Sequence, residues 1–270
     1  MSTTAQESSV LSPAAFLVRG LAAGLVAGLL AFIVAFSFGE PYVDDAIGLE
    51  EAASAQMTPD EVAAEEAEAD EPGMVEISRD NQKSWGLLTG MLVVGTALGG
   101  LVSLAAAAVI GRLGNLSARA STALVTFIGF VAVALVPFAK YPATPPAVGS
   151  GDTIGHRTSD FFVMLLISVL AAIAAVVVAQ RLRGRLDGWT ATGIAGAGYL
   201  VVVIVAAVLL PTVNELGDFP ADILWYFRRA SLLTLLTLWA AIGVILVGLL
   251  GRLHDRAVAE TDRRELAASI

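Results

Sequence analysis

The stretch AAFLVRGLAAGLVAGLLAFIVAFSF, at Ala14–Phe38, decides the fold of this chain. It holds a single charged side chain, Arg19, close to its start. At 1.5 Å per residue, about 20 apolar residues in a helix cross a hydrocarbon core roughly 30 Å thick. The stretch is long enough to do so, and it lacks the alternating pattern of a membrane barrel strand. It therefore predicts a transmembrane helix.

Five further stretches have the same character. They lie at about Trp85–Ile110, Ala118–Phe138, Phe161–Ala179, Thr190–Leu210 and Ala230–Leu250. We therefore predict an all-α fold, a polytopic bundle of six transmembrane helices. The transmembrane domain would cover residues 14–251, between cytoplasmic tails at residues 1–13 and 252–270.

The composition agrees with a membrane protein and excludes several other classes. Of the 270 residues, 56% are hydrophobic and only 15% are charged, against about a quarter in an ordinary soluble domain. The chain has no cysteine, which excludes disulfides, thiolate metal sites and cysteine nucleophiles. Its net charge of −9 argues against nucleic acid as a partner, because a phosphate-binding protein needs a basic face.

The distribution of charge predicts the orientation. With the N-terminus in the cytoplasm, the inner segments hold ten basic and six acidic residues, and the outer segments hold six basic and nineteen acidic residues. The net charges are then +4 inside and −13 outside. The two short connections, Gly111–Ser117 and Gln180–Trp189, carry four arginines and one aspartate. Basic residues stay on the cytoplasmic side, so we predict both termini inside and three outward hairpins.

A weak repeat suggests that these three hairpins are related. The tripeptide Gly-Arg-Leu comes at the predicted inner end of each even-numbered span, beginning at Gly111, Gly184 and Gly251. Each odd-numbered span reaches a proline near its outer end, at Pro41, Pro137 and Pro211. One interpretation is duplication of a helical hairpin. The alternative is ordinary helix-end chemistry, in which glycine caps a helix and proline stops it.

Small residues predict how the first two spans pack. Glycine at four-residue spacing lets two helix backbones approach closely within a bilayer. The glycines with this spacing are Gly20, Gly24 and Gly28 in the first span, and Gly86, Gly90, Gly95 and Gly99 in the second. We predict that they serve helix packing. The alternative is a mobile seam or a docking face for the helix of a partner.

The central part of every span lacks Asp, Glu, Lys, Arg and His. Ionisable residues at mid-bilayer are the usual sign of proton relays and ion sites. Without them, and without a nucleophile–base set, we predict that the chain is not an enzyme and is not a proton pump of familiar design.

Chemically versatile side chains gather instead at the outer ends of the spans. Oxygen ligands with one imidazole suit hard and intermediate divalent cations, and the candidate metal ligands are Glu40, Asp44, Glu50, His156 and Glu215. The other interpretation is that acids and bases pair to hold the outer segments together or to gate them. The candidates for that role are Lys140, Asp152, Arg157, Asp222 and Arg228. We expect these segments to lie as structured caps on the membrane surface, and the Ala-, Glu- and Asp-rich loop at residues 52–76 to be solvated and flexible.

The outer segments also carry motifs in a distinctive order. A first motif, FLVRGL at Phe16–Leu21, lies in the first span. The motifs of the outer segments are, in chain order, GEP at Gly39–Pro41, LVPFAKYP at Leu135–Pro142, PPAVG at Pro145–Gly149, DTIG at Asp152–Gly155, LPTVNE at Leu210–Glu215 and FPAD at Phe219–Asp222. In these features, over roughly Phe16–Leu250, the chain resembles a bacterial family of cobalt transporter subunits, CbtA.

The resemblance implies a multi-pass subunit of the bacterial plasma membrane that takes up Co²⁺ for cobalamin synthesis. Co²⁺ would be the transported ion, with no tightly bound cofactor. The resemblance also implies a small, single-span, His-rich partner protein, CbtB, in addition to the lipid bilayer as a partner. It leaves open whether the chain also forms a homo-oligomer. The loop after the first span has no histidine here, which fits a partner that supplies the imidazoles. The alternative function is a non-transporting membrane scaffold or assembly protein with ion-paired caps.

Overall fold

The computed structural model of the chain describes residues 11–56, 77–149 and 153–269. Six long helices follow one another: α1 at Pro13–Ser54, α2 at Arg79–Val109, α3 at Ala118–Lys140, α4 at Ile154–Leu182, α5 at Gly188–Leu209 and α6 at Ala221–Ala268. Each is long and apolar enough to cross a membrane, which confirms the predicted all-α fold with six spans. We call the end of the bundle where α1 ends and α2 begins the outer end, and the opposite end the inner end.

The starts of three helices are set by short polar side chains. The Ser12 hydroxyl accepts a hydrogen bond from the Ala15 amide at 3.2 Å, and Ser117 does the same for Ala120 at the start of α3. At the start of α5, the Asp187 carboxylate accepts from the Thr190 amide at 3.0 Å. Each cap satisfies an amide that has no partner within its own helix.

Helices α1 and α2 form an antiparallel hairpin with almost no space between their backbones. Gly20 faces Gly99, and Gly24 faces Gly95. A Cβ built on Gly95 would lie 2.6 Å from the Gly24 carbonyl oxygen, closer than real Cβ atoms come to any neighbour. The Ser103 hydroxyl also donates to the Phe16 carbonyl across the seam, at 2.6 Å. Glycine is therefore required along this seam by the approach of the two main chains.

Two of the predicted packing glycines do not belong to this seam. Gly86 and Gly90 are exposed, and a Cβ on Gly90 would meet nothing within 4 Å. The reason is register: Gly90 precedes Gly95 by five residues, which places it about 140° around the helix. Met91 has the required four-residue spacing from Gly95, and its backbone lies against Gly28.

Helix α6 is the central helix of the larger core. Ile242 and Leu246 are fully buried, and they belong to one hydrophobic cluster with an alanine stripe of α1 at Ala23, Ala27 and Ala31. The cluster also takes in residues of α2 and α3. Helices α1, α2, α3 and α6 therefore share a single packed interior.

Helices α4 and α5 form a pair at the side of this four-helix core. The pair packs through a second cluster of Met164, Val203 and Ala206, to which Val136 and Tyr141 of the α3 end also contribute. The Ser168 and Tyr199 hydroxyls lie 2.9 Å apart between α4 and α5. The pair is thus attached to the rest of the bundle mainly through the outer half of α3.

The prolines of the first two odd-numbered spans do not stop their helices, contrary to one of the interpretations above. Pro41 and Pro137 each follow a π-helical turn, at Ala35–Gly39 and Phe130–Leu135. A π turn contains one extra residue, and the wider turn leaves room for the ring of a proline, which has no N–H to donate to the helix. The helix therefore continues past the proline. The first outer cap is therefore not a segment lying on the membrane surface but an extension of α1 to Ser54, about 20 Å long.

The Gly-Arg-Leu motifs also differ from one another in the structure. Gly111 has a φ of +77° just after α2, the left-handed conformation that ends many helices. Gly251 does not close a helix, because α6 runs on to Ala268. Its small size instead admits Arg119 of α3, whose guanidinium Nη2 lies 2.6 Å from an oxygen of Asp255.

Candidate functional site

The outer end of the α1–α2 hairpin holds a group of five charged side chains, which we call the first cluster: Glu40, Asp44, Arg79, Asp80 and Lys83. Glu40 and Asp44 lie one turn apart on the extension of α1, so they share a face. Both carboxylates reach the same guanidinium, since Arg79 Nη2 pairs with Glu40 and also lies 3.0 Å from Asp44. Two acidic groups thus converge on one point.

A second base completes this cluster. Lys83 Nζ lies 3.2 Å from Asp80 and 3.9 Å from Asp44. The Glu40 side chain is only 14% exposed, whereas that of Asp44 is 46% exposed. A charge-assisted pair counts for more when it is withdrawn from water. Glu40–Arg79 is therefore the stronger contact between the two helices here.

The outer ends of α3, α4 and α6 surround a cavity of about 770 Å³. Its acidic side chain, Glu215, accepts a hydrogen bond from the Thr153 hydroxyl at 2.9 Å and lies 3.6 Å from Arg157 Nε. Arg157 also donates to the Val148 carbonyl at 3.4 Å. Gly149 has a φ of +93° and lies against this pair, where a Cβ would overlap the guanidinium. The pair therefore connects Val148, the start of α4 and the segment after α5.

Three more side chains around this cavity bind main-chain oxygens. Lys140 Nζ donates to the Leu210 carbonyl at 3.2 Å. The Tyr141 hydroxyl donates to the Pro211 carbonyl at 2.8 Å, and Arg228 Nε donates to a carbonyl of the α3–α4 loop at 3.4 Å. Burial, and then the negative charge of Asp160, raises the pKa of Tyr141 above its ordinary value. The phenol therefore stays protonated and keeps its donor beyond the usual titration of tyrosine near pH 10.

Replacing Tyr141 with phenylalanine is expected to loosen the segment after α5. The lost hydrogen bond contributes between about 0.5 and 1 kcal/mol, so amides at residues 212–219 should exchange about two- to fivefold faster. Hydrogen exchange followed by mass spectrometry measures this change. Tyr226→Phe is the matched control, because that ring stacks on Tyr42 at 5.5 Å rather than bonding to this segment. Equally accelerated amide exchange in both variants would show that the Tyr141 hydroxyl does not hold the segment after α5 in place.

The structure does not bring the five predicted metal ligands together. Glu40 and Asp44 lie in the first cluster, Glu215 lies beside the cavity, and Glu50 and His156 are exposed. Across the described residues, no group of three or more His, Asp or Glu side chains is placed to hold a metal ion. The physical reason is that the better-buried carboxylates take guanidinium partners from neighbouring segments.

The residues predicted to gate or to pair make different contacts. Arg157 takes a carboxylate partner, whereas Lys140 and Arg228 bind carbonyl oxygens. Asp222 lies in the first turn of α6, where a carboxylate interacts favourably with the positive end of the helix dipole. Asp152 lies outside the described residues.

Sequence reasoning missed Arg79 as the central residue of the first cluster. It lies six residues before the predicted start of the second span, in a polar stretch that carries no apolar signal of a membrane helix. Thr153 was missed as well, because a lone threonine before a helix carries no signal of its contact with Glu215. The one available clue to Arg79 was its position as a basic residue within two helical turns of an apolar span.

Comparison with known families gives a match over most of the chain. A family model described as probable cobalt transporter subunit (CbtA) matches residues 14–251. Neither the curated proteins nor the solved structures include a significant match. Six helices able to span a membrane agree with a transporter subunit. The chain therefore belongs to the CbtA family of probable cobalt transporter subunits.

Proposed function

We propose that this chain is the membrane-embedded subunit of a bacterial inner-membrane transporter that takes up Co²⁺ for cobalamin synthesis. The observation that carries the proposal is the family match over residues 14–251. Membership of a family of subunits also supports a partner chain. We take that partner to be a small, single-span, His-rich protein, which would add imidazole ligands that the loop after the first span lacks.

Cation capture would take place at the outer carboxylates. Glu40 and Asp44 converge on one guanidinium, and an incoming divalent cation could replace that single positive charge. Carboxylate oxygens are suitable ligands for such an ion, with water or the partner completing the coordination shell. Arg79 would then neutralise the two acids while no cation is bound. Glu215 would act in the same way with Arg157 beside the cavity.

Cobalt uptake in cells tests these assignments. Glu40→Gln is expected to lower uptake by about tenfold, because it removes a negative charge and a ligand oxygen. Glu215→Gln should lower cobalt uptake as well. Glu51→Gln is the matched control, since Glu51 is an exposed acid on the same extension of α1. Normal uptake by Glu40→Gln and Glu215→Gln, at normal expression in the membrane, would remove both residues from the capture step.

One observation favours the second candidate function, a scaffold that does not transport. The described residues hold no ready-made group of three metal-ligating side chains, and the partly buried acids Glu40 and Glu215 are ion-paired. Equilibrium cobalt binding to the purified chain, alone and with its partner, separates the two candidates. Binding that Arg79→Gln strengthens supports capture by Glu40 and Asp44, whereas no binding under either condition supports the scaffold.

A further inference from the structure

A cleft of about 290 Å³ opens between α3 and the α4–α5 pair. Its walls are almost entirely hydrocarbon, with Phe127 and Val131 on α3, Ala172 and Ala179 on α4, and Ala195 on α5. Phe127 remains 63% exposed, because no side chain of the described chain covers it from the cleft side. An apolar recess of this kind in a membrane protein is filled by something apolar.

The cleft covers only the inner half of the bundle. Towards the outer end, Met164 and Val203 pack with Val136 in the second cluster, so α3, α4 and α5 are in contact there. Along α4 the lining extends from Ala172 to Arg183, a length of about 16 Å. That length is close to one leaflet of a bilayer whose core is about 30 Å thick.

The inner mouth of the cleft is polar and basic. Gln180, Arg183 and Thr192 line it, and Arg183 Nη2 lies 3.4 Å from the Thr192 hydroxyl. The adjoining connections at residues 111–117 and 180–189 carry four arginines and one aspartate. That aspartate, Asp187, is engaged in capping α5. The mouth therefore has an excess of positive charge at the inner end of the bundle.

The geometry points to a binding site for one anionic phospholipid of the inner leaflet. One acyl chain fills the apolar cleft, and the phosphate accepts hydrogen bonds from the Arg183 guanidinium at the mouth. A transmembrane helix about 10 Å wide would need a groove open across the whole bilayer. The packed outer half of α3, α4 and α5 closes that route. The basic mouth favours an anionic headgroup over a zwitterionic one.

Native mass spectrometry of the purified full chain, equilibrated with equal amounts of phosphatidylglycerol and phosphatidylcholine, tests the site. We expect one retained lipid, with phosphatidylglycerol preferred roughly fivefold, as one arginine contact implies. Arg183→Gln should reduce the preference to near parity. Arg185→Gln is the matched control, because it removes the same charge from the same turn but does not line the cleft. Ala195→Trp should remove the retained lipid by filling the cleft.

Four results would overturn the site. The first is equal retention of the two lipids by the wild-type chain. The second is equal loss of preference in Arg183→Gln and Arg185→Gln. The third is a dimer mass that Ala195→Trp converts to monomer, which would assign the cleft to a second copy of the chain. The fourth is release of the lipid when a single-span partner is co-expressed, which would assign the cleft to that helix. Because Arg183→Gln leaves the cleft walls intact, a misfolded Ala195→Trp does not prevent the test.

Discussion

Gly24→Ala is expected to destabilise the α1–α2 hairpin by about 3 kcal/mol, a large effect for the addition of one methyl group. The new Cβ would overlap the Gly95 carbonyl carbon and oxygen and come within 2.9 Å of Thr96 Cα, all of them main-chain atoms. Main-chain atoms cannot rotate away as a side chain can, so the two helices must separate. Reversible unfolding in mixed micelles, followed by circular dichroism, measures the change.

Gly90→Ala is the matched control on the same hairpin. A Cβ there would meet no atom within 4 Å, and alanine is the better helix former. We expect this variant to be unchanged or more stable by up to about 1 kcal/mol. Similar destabilisation in both variants would mean that helix propensity, and not the close approach at Gly24, determines the result.

Ile242→Ala is expected to destabilise the bundle by about 2 kcal/mol. Ile242 is fully buried in the centre of α6, within the cluster that joins four helices. In a bilayer little is gained by moving a methyl group from lipid to protein, so the cost comes mainly from lost packing contacts and the cavity left behind. The same unfolding measurement applies, and small apolar molecules should partly restore stability by filling the cavity.

Val244 supplies the control for this substitution. It lies two residues further along α6 and is 75% exposed, so its side chain faces away from the core. Val244→Ala should change stability by less than about 0.5 kcal/mol. If Val244→Ala were as damaging as Ile242→Ala, α6 would not be oriented as described.

Hydropathy alone predicted the number and type of the helices, because a long apolar run has few other stable structures in a bilayer. It could not predict where the helices end. The extension of α1 beyond Glu40 is polar, so it carries no apolar signal. Proline at Pro41 indicated a stop, and only the preceding π turn lets the helix continue. The same limit applies to the inner end of α6. The sequence predicted a span followed by a separate tail, whereas α6 continues as one helix to Ala268.

The packing seam and the outer charges were predictable in kind but not in register. Repeated glycines indicated close helix packing, yet choosing Gly95 over Gly90 requires knowing which face of α2 meets α1. The sequence located acids at the outer end, and Glu40, Asp44 and Glu215 make ion pairs there. The partner of Glu40 was not predicted, because Glu40 and Arg79 are 39 residues apart and no local pattern links them. Local spacing therefore could not separate a shared cation site from two ion-paired groups.

The unequal attachment of the six helices determines how this protein can deform. Separating α1 from α2 would break a backbone-to-backbone seam, whereas tilting the α4–α5 pair at its inner end would break few contacts. The Met164 and Val203 cluster supplies the pivot for such a tilt. We therefore expect the softest motion of the bundle to be a rocking of α4 and α5 about their outer ends, with an amplitude that depends on what occupies the space beside Phe127.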